Sequence, residues 1–147
     1  MIKIQPLKKS TAAIARDLNA LMPQLSASGA AAAPRISPAI LRRLLANKNL
    51  YIALVLDGKK VVGTGAIVFM TTLLSKSAII EDVIIDSGYR GRGLGEKLMR
   101  HLLEIAKAKK VATVDLTSKP ARVAANKLYQ KLAFELRDTN VYRKKLK

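Results

Sequence analysis

The 147-residue chain contains no cysteine, no tryptophan and a single histidine, and it sets only 10 acidic residues against 27 Lys and Arg. Without cysteine there is no disulfide scaffold, no thiolate zinc site and no thiol nucleophile, so no group can be parked on an enzyme sulfur. Aromatic residues make up 4% of the chain, which leaves few stacking platforms for single-stranded nucleic acid. Apolar runs such as Ala66 to Met70 fall far short of the ~20 residues of a spanning helix. The opening MIKIQPLKKS has no apolar stretch of signal-peptide length, so the chain reads as cytoplasmic and without a membrane partner. The shortage of acids leaves a formal net charge of +17, which suits an anionic partner or a highly solvated surface. The basic residues run from Lys3 to Lys147 rather than forming an arm, so nucleic acid stays open as a partner but has no motif behind it.

What is present supports one folded domain, residues 1–147, because half the residues are hydrophobic and the length suits a single core. Ile2-Lys3-Ile4 alternates as a short strand. Ser10 or Thr11 can cap a helix bearing Ile14, Leu18, Leu21 and Met22, and Ser37-Pro38 opens a second bearing Ile40, Leu41, Leu44 and Leu45. Between them the small-residue segment Ser26 to Pro34 reads as a loop. Tyr51 to Leu56, the turn signal Asp57-Gly58 and Val61 to Met70 predict a hairpin, and Ser77 to Asp86 a further strand interrupted by two acids. A helix over Gly93 to Lys110, a strand over Val111 to Leu116, a helix over Pro120 to Leu132 and two strands within Phe134 to Leu146 complete the pattern. The order β-αα-βββ-α-β-α-ββ predicts an α/β (α+β) fold. Its mixed, mostly antiparallel sheet would have about six to seven strands and about four flanking helices.

Tyr89-Arg90-Gly91-Arg92-Gly93-Leu94-Gly95 stands between a strand and a helix. Glycines let backbone turn tightly and approach a ligand closely, and the first N–H groups of a helix have no internal acceptor. With the helix dipole and two arginines, this is a site for a phosphate-bearing anion. A P-loop would need Gly-Lys-Ser/Thr where the chain has Leu94-Gly95-Glu96, and the dinucleotide fingerprint would need glycine at Glu96.

The pattern that does fit is Arg-x-x-Gly-x-Gly, formed by Arg90, Gly93 and Gly95. It resembles the acyl-CoA pyrophosphate loop of the GCN5-related N-acetyltransferases, the GNAT superfamily. A second signature, Asn-x-x-Tyr followed by Gly-Phe, is similar to Asn126 to Tyr129 with Ala133-Phe134, alanine standing where the family has glycine. The resemblance covers almost the whole chain and implies acetyl-CoA as cosubstrate, with no metal. It assigns the backbone of Val83, Ile84 and Ile85 to the pantetheine arm, and Arg90, Gly91, Arg92, Gly93, Leu94, Gly95 and Glu96 to the pyrophosphate. Asn126 would contact the arm. Tyr129 would lie by the thioester sulfur as cofactor contact and general acid.

An amine is protonated at neutral pH, so a base or water chain must take its proton before attack. Glu81 and Asp82 are consecutive in a strand and are therefore expected on opposite faces. The strand SAIIEDVIID is similar to the Glu-Asp strand of polyamine and amino-sugar acetyltransferases. On that likeness Glu81 is the candidate base or water-holder and Asp82 the acceptor contact, with Asp115 on the next strand a further acceptor candidate. Ser118 is a candidate to line the cleft, and His101 reads as a surface or packing residue.

The implied activity is transfer of an acetyl group to a primary amine, on a small molecule or a protein, by direct attack in a ternary complex. A reading of another class is a non-catalytic acyl-CoA-binding or RNA-binding module of the same shape. Members of the family often form homodimers, which extends that expectation here.

Overall fold

The computed structural model describes residues 1–25 and 35–147, so the small-residue loop over 26–34 lies outside the described residues. These residues form two compact units, Met1–Leu116 and Thr117–Lys147.

The first unit is built on a five-stranded sheet in the order β1-β2-β3-β4-β5. The strands are β1 (Ile2–Pro6), β2 (Leu50–Asp57), β3 (Lys60–Thr71), β4 (Lys76–Ile85) and β5 (Thr113–Asp115). All neighbours are antiparallel except β4 and β5, which run parallel. The β2–β3 hairpin closes through Gly58-Lys59, with Asp57 paired to Lys60 and Gly58 at φ +60°. A tight hairpin of this twist needs positive φ at its first turn residue, which glycine adopts without steric conflict.

Helix α1 (Ala12–Leu21) starts at Thr11, whose hydroxyl accepts the Ile14 N–H at 3.2 Å. Helix α2 (Pro38–Ala46) starts the same way, with Ser37 Oγ accepting from Ile40 N–H at 3.2 Å and Pro38 at the first position. Their apolar stripes meet one face of the sheet in a core that includes Leu18, Leu21, Leu41, Leu54 and Ile84. Ile52, Leu54 and Leu56 of β2 turn to this face, and period-two alternation sends Tyr51, Ala53 and Val55 to the other. Helix α3 (Leu94–Ala108) covers that second face, burying Leu94, Leu98, Met99, Leu102 and Ala106. Gly65 is the close-approach point: a Cβ there would lie 3.1 Å from Leu102 Cδ1 and 3.3 Å from Val83 Cγ2.

The second unit holds helix α4 (Val123–Lys131). Its end is a complete Schellman motif: Phe134 N–H returns to Tyr129 C=O and Ala133 N–H to Gln130 C=O, each at 3.0 Å. Ala133 takes the left-handed conformation, φ +66°, where the family signature has glycine. The Tyr129 and Phe134 rings stack edge to face across the motif, centroids 6.1 Å apart.

The expectation of six to seven strands is corrected to five among the described residues, because residues 134–147 form no strand. Leu136, Val141, Tyr142 and Leu146 are exposed there instead. A strand needs a partner edge as well as β-forming residues, and this segment's alternation with Arg143, Lys144, Lys145 and Lys147 supplies no buried face of its own.

Candidate active site

The functional geometry of the first unit begins where β4 leaves β5. Their parallel pairing covers Ser77–Ile79 against Thr113–Asp115 and then stops, while β4 runs on to Ile85. Among the described residues, Ile80 to Ile85 therefore have no strand on that side. From Glu81 to Ile85 this bare edge is about 13 Å long, at the usual strand rise.

A bulge interrupts the same stretch on the β3 side. Thr64 pairs with Ile84 and Ala66 with Glu81, so Gly65 faces both Asp82 and Val83. Asp82 sits at φ +56°, a conformation that a short polar side chain tolerates better than most. The bulge interrupts the simple alternation from which Glu81 and Asp82 are expected on opposite faces, and both residues are exposed. Asp115, on the last paired residue of β5, is half-buried where the two strands part.

Beyond the bulge the backbone polarity can be read from one bond. Asp86 N–H donates to Val62 C=O at 2.8 Å, so in an antiparallel ladder Ile84 also faces β3, whereas the N–H and C=O of Val83 and Ile85 face away. Ile85 C=O accepts from Arg90 Nε at 3.0 Å on that open side. Ile84 is anchored in the α1 core and presents its backbone to β3 rather than to the gap.

The loop follows directly. Gly91 and Gly93 take φ +78° and +74°, and a Cβ on either would meet nothing within 4 Å. Both positions are left-handed backbone, and no protein atom crowds either of them. Gly93 is the N-cap of α3 and has no side chain to cap it, so the first N–H groups of the helix open toward the loop. The two arginines brace the turn: Arg90 as above, and Arg92 through a 3.4 Å bond to Gly88 C=O and by stacking 4.9 Å over the Tyr89 ring. Tyr89 in turn donates to Asp57 Oδ2 at 2.7 Å. That bond, with the N-terminal amine and Arg92 nearby, holds the Asp57 carboxyl below its ordinary range. The same bond, with burial and the Asp57 charge, pushes the Tyr89 phenol up against a smaller lowering by Arg92. Glu96 in the first turn of α3 pairs with Arg100 at 2.9 Å, which neutralises an acid that would oppose an anion.

In the second unit, Asn126 Nδ2 donates to the carbonyls of Lys119 and Arg122, both at 2.9 Å, and so fixes the turn that opens α4. Tyr129 is half-buried, and burial pushes its phenol pKa up against a smaller lowering by Arg122. It is protonated at neutral pH, as a proton donor must be. Ser118 Oγ is buried without a hydrogen-bond partner, a state that is costly unless something else meets it. His101, read as a packing residue, lies on α3 with Nε2 2.6 Å from the Tyr51 hydroxyl of β2. Burial lowers the histidine and raises the tyrosine, so both are neutral near pH 7.

Reading the sequence by motif missed Gln24 and the bulge. Gln24, beside the loop, belongs to no motif, and the bulge has no signal in the residues around Asp82. Among the described residues no group of three or more His, Cys, Asp or Glu could hold a metal, and no helix is long and apolar enough to cross a membrane.

A mixed sheet that opens beside a glycine loop at a helix N-terminus defines a fold with a ready anion site. The chain belongs to the Acetyltransferase (GNAT) family, which it matches over residues 18–134. A stretch of 51 residues, 35% of the chain, is 37% identical to part of N-acetylaspartate synthetase from Xenopus tropicalis and spans 19% of that protein. Solved structures with the same fold include a transcriptional regulator from Bacillus halodurans (TM-score 0.82, 22% identity, 98% of this chain and 99% of that one). Glucosamine-6-phosphate N-acetyltransferase from Arabidopsis thaliana is another (0.77, 20%, 98% of each). A third is AAC(6')-Iy in complex with the bisubstrate analogue CoA-S-monomethyl-acetylneamine (0.78, 15%, 99% and 98%).

Proposed function

We propose that residues 1–147 act as one acetyl-CoA-dependent N-acetyltransferase domain that acetylates a primary amine by direct attack. The observation that carries this is the continuity of the bare β4 edge with the open glycine loop at the start of α3. The residues fit the ligand: Val83 and Ile85 offer backbone groups for an amide-bearing arm, and Arg90 to Glu96 offer N–H groups and positive charge for a pyrophosphate. Asn126 and Tyr129 complete the set carried by the family signature. Acetyl-CoA supplies the activated acyl group and a thiolate leaving group.

Every other part of the reaction falls to the chain. Glu81, directly or through one water, takes the proton that the amine must lose, while Asp82 and Asp115 hold the cationic acceptor in place. The new bond joins the amine nitrogen to the acyl carbon as the carbon–sulfur bond breaks, and the Tyr129 phenol gives its proton to the departing sulfur. The second proton leaving the nitrogen returns the phenolate to its neutral form, directly or through water. With no cysteine in the chain, no acyl group is carried on an enzyme thiol, which leaves the ternary complex as the route. The exposed acid pair on an otherwise basic chain favours a cationic acceptor such as an amino sugar or polyamine. The amine-directed names of two structural relatives support the same class.

Thiol release from acetyl-CoA in the presence of a panel of amines and basic peptides tests the proposal. Release with at least one cationic amine is expected. Thermal stabilisation by acetyl-CoA with no release on any acceptor would sink the enzyme reading. The +17 charge favours a second reading, a nucleic-acid-binding module. Tight RNA binding that weakens steeply with salt and ignores acetyl-CoA would favour that reading instead.

A further inference from the structure

Three groups at the exit of β4 converge on one uncharged side chain from a distant part of the sequence. Gln24 lies in the 3-10 turn Met22–Gln24 that follows α1. Its Nε2 donates to Asp86 Oδ1 at 2.8 Å, while its Oε1 accepts from Ser87 N–H at 3.0 Å and from Arg90 Nη2 at 3.3 Å. The polarity follows from chemistry: an ionised carboxylate takes only the amide's NH2 end, and a backbone N–H or guanidinium takes only its carbonyl end.

Arg90 is thus held twice, by Gln24 and by Ile85 C=O. The segment from Ile85 to Arg90 becomes one braced unit before the first loop glycine. Hydrogen bonds to charged groups are roughly twice as strong as neutral ones, and two of the three made by Gln24 are of that kind. Gln24 touches none of the groups assigned to proton transfer.

We propose that Gln24 is the positioning residue of the phosphate loop, orienting Arg90 and the Ser87–Tyr89 turn so that the loop is formed before its ligand arrives. This rests on the acetyl-CoA reading above. Gln24 therefore sets affinity for CoA and leaves the chemical step alone.

Calorimetric titration of CoA into the full chain tests this, alongside steady-state kinetics with acetyl-CoA. Q24A is expected to weaken CoA binding and raise KM for acetyl-CoA about tenfold, with kcat within about twofold. Q24E sets a carboxylate against Asp86 and is expected to bind more weakly still. Adding D86N gives that carboxylate a donor to accept from, and Q24E/D86N is expected to return to within about threefold of wild type. A residue that merely supported the fold would lower kcat and would not be rescued by reversing the polarity of the pair. Unchanged CoA affinity in Q24A, or no recovery in the double variant, overturns the proposal. A wild-type chain that binds no CoA overturns the acetyl-CoA reading itself, and does so before any variant is compared.

Discussion

Left-handed backbone occurs at two of the turns that carry this family's signatures, and different residues occupy it. In the β4–α3 loop, Gly91 and Gly93 hold φ +78° and +74° with empty space where a side chain would be. At the end of α4, Ala133 holds φ +66° and completes the Schellman motif with a methyl group in place. Alanine in this region costs about 1 kcal/mol, which the chain tolerates at Ala133. The loop glycines border open space, so the same small cost would have been tolerable there if conformation were all that mattered. On the proposed reading, what separates the two turns is whether a ligand must come close to the backbone.

The comparison can be strained from the catalytic side first. Tyr129, which fastens the Ala133 turn through its carbonyl and its ring, carries a phenol that the turn itself does not use. Tyr129→Phe keeps the ring and the motif, and turnover is expected to fall about 100-fold, the lower range for loss of a general acid. CoA affinity should stay within about twofold. Turnover near the wild-type rate would remove Tyr129 from proton transfer.

A smaller effect is expected at the loop. Gly93→Ala places a methyl where no protein atom lies within 4 Å, so denaturant unfolding of the free chain should register only backbone strain, about 1 kcal/mol. CoA binding should weaken by more than tenfold, because the methyl occupies the ligand's approach. Equal CoA affinity in the two proteins would mean that the loop glycine serves conformation alone and the distinction drawn above collapses.

The smallest effect is expected at the other turn. Ala133→Gly removes the strain at φ +66° while adding freedom to the unfolded chain, so a net gain of up to about 0.5–1 kcal/mol is expected by chemical denaturation. CoA binding should not change. A destabilised variant would show that the Ala133 methyl packs usefully and that the family's glycine is not required by the turn.

Local chemistry made much of this fold readable. Ser10-Thr11 and Ser37-Pro38 announced their helices as caps, Gly58 its hairpin, and Arg90 to Gly95 the loop, because each signal acts on residues a few positions away. The features that escaped depend on distant partners. Nothing near Asp82 shows that Gly65, on another strand, will leave β4 one residue to spare. Residues 134–147 carry the alternation of a strand yet pair with no edge. Gln24 reaches its three partners across more than sixty positions, in a segment whose own pattern speaks only of helix α1. The site residues follow the same division, with the loop legible and its brace hidden.

The early end of the β4–β5 ladder at Ile79 and Asp115 has a consequence for handling as well as for chemistry. Among the described residues it leaves part of β4 without a strand on one side, and unpaired strand edges are templates on which another chain can add itself. On the proposed reading, a ligand arm lying along Val83 and Ile85 would act as the missing strand and take that template away. The cosubstrate would then also guard against self-association, and the colloidal behaviour of the protein would be tied to how much acetyl-CoA surrounds it.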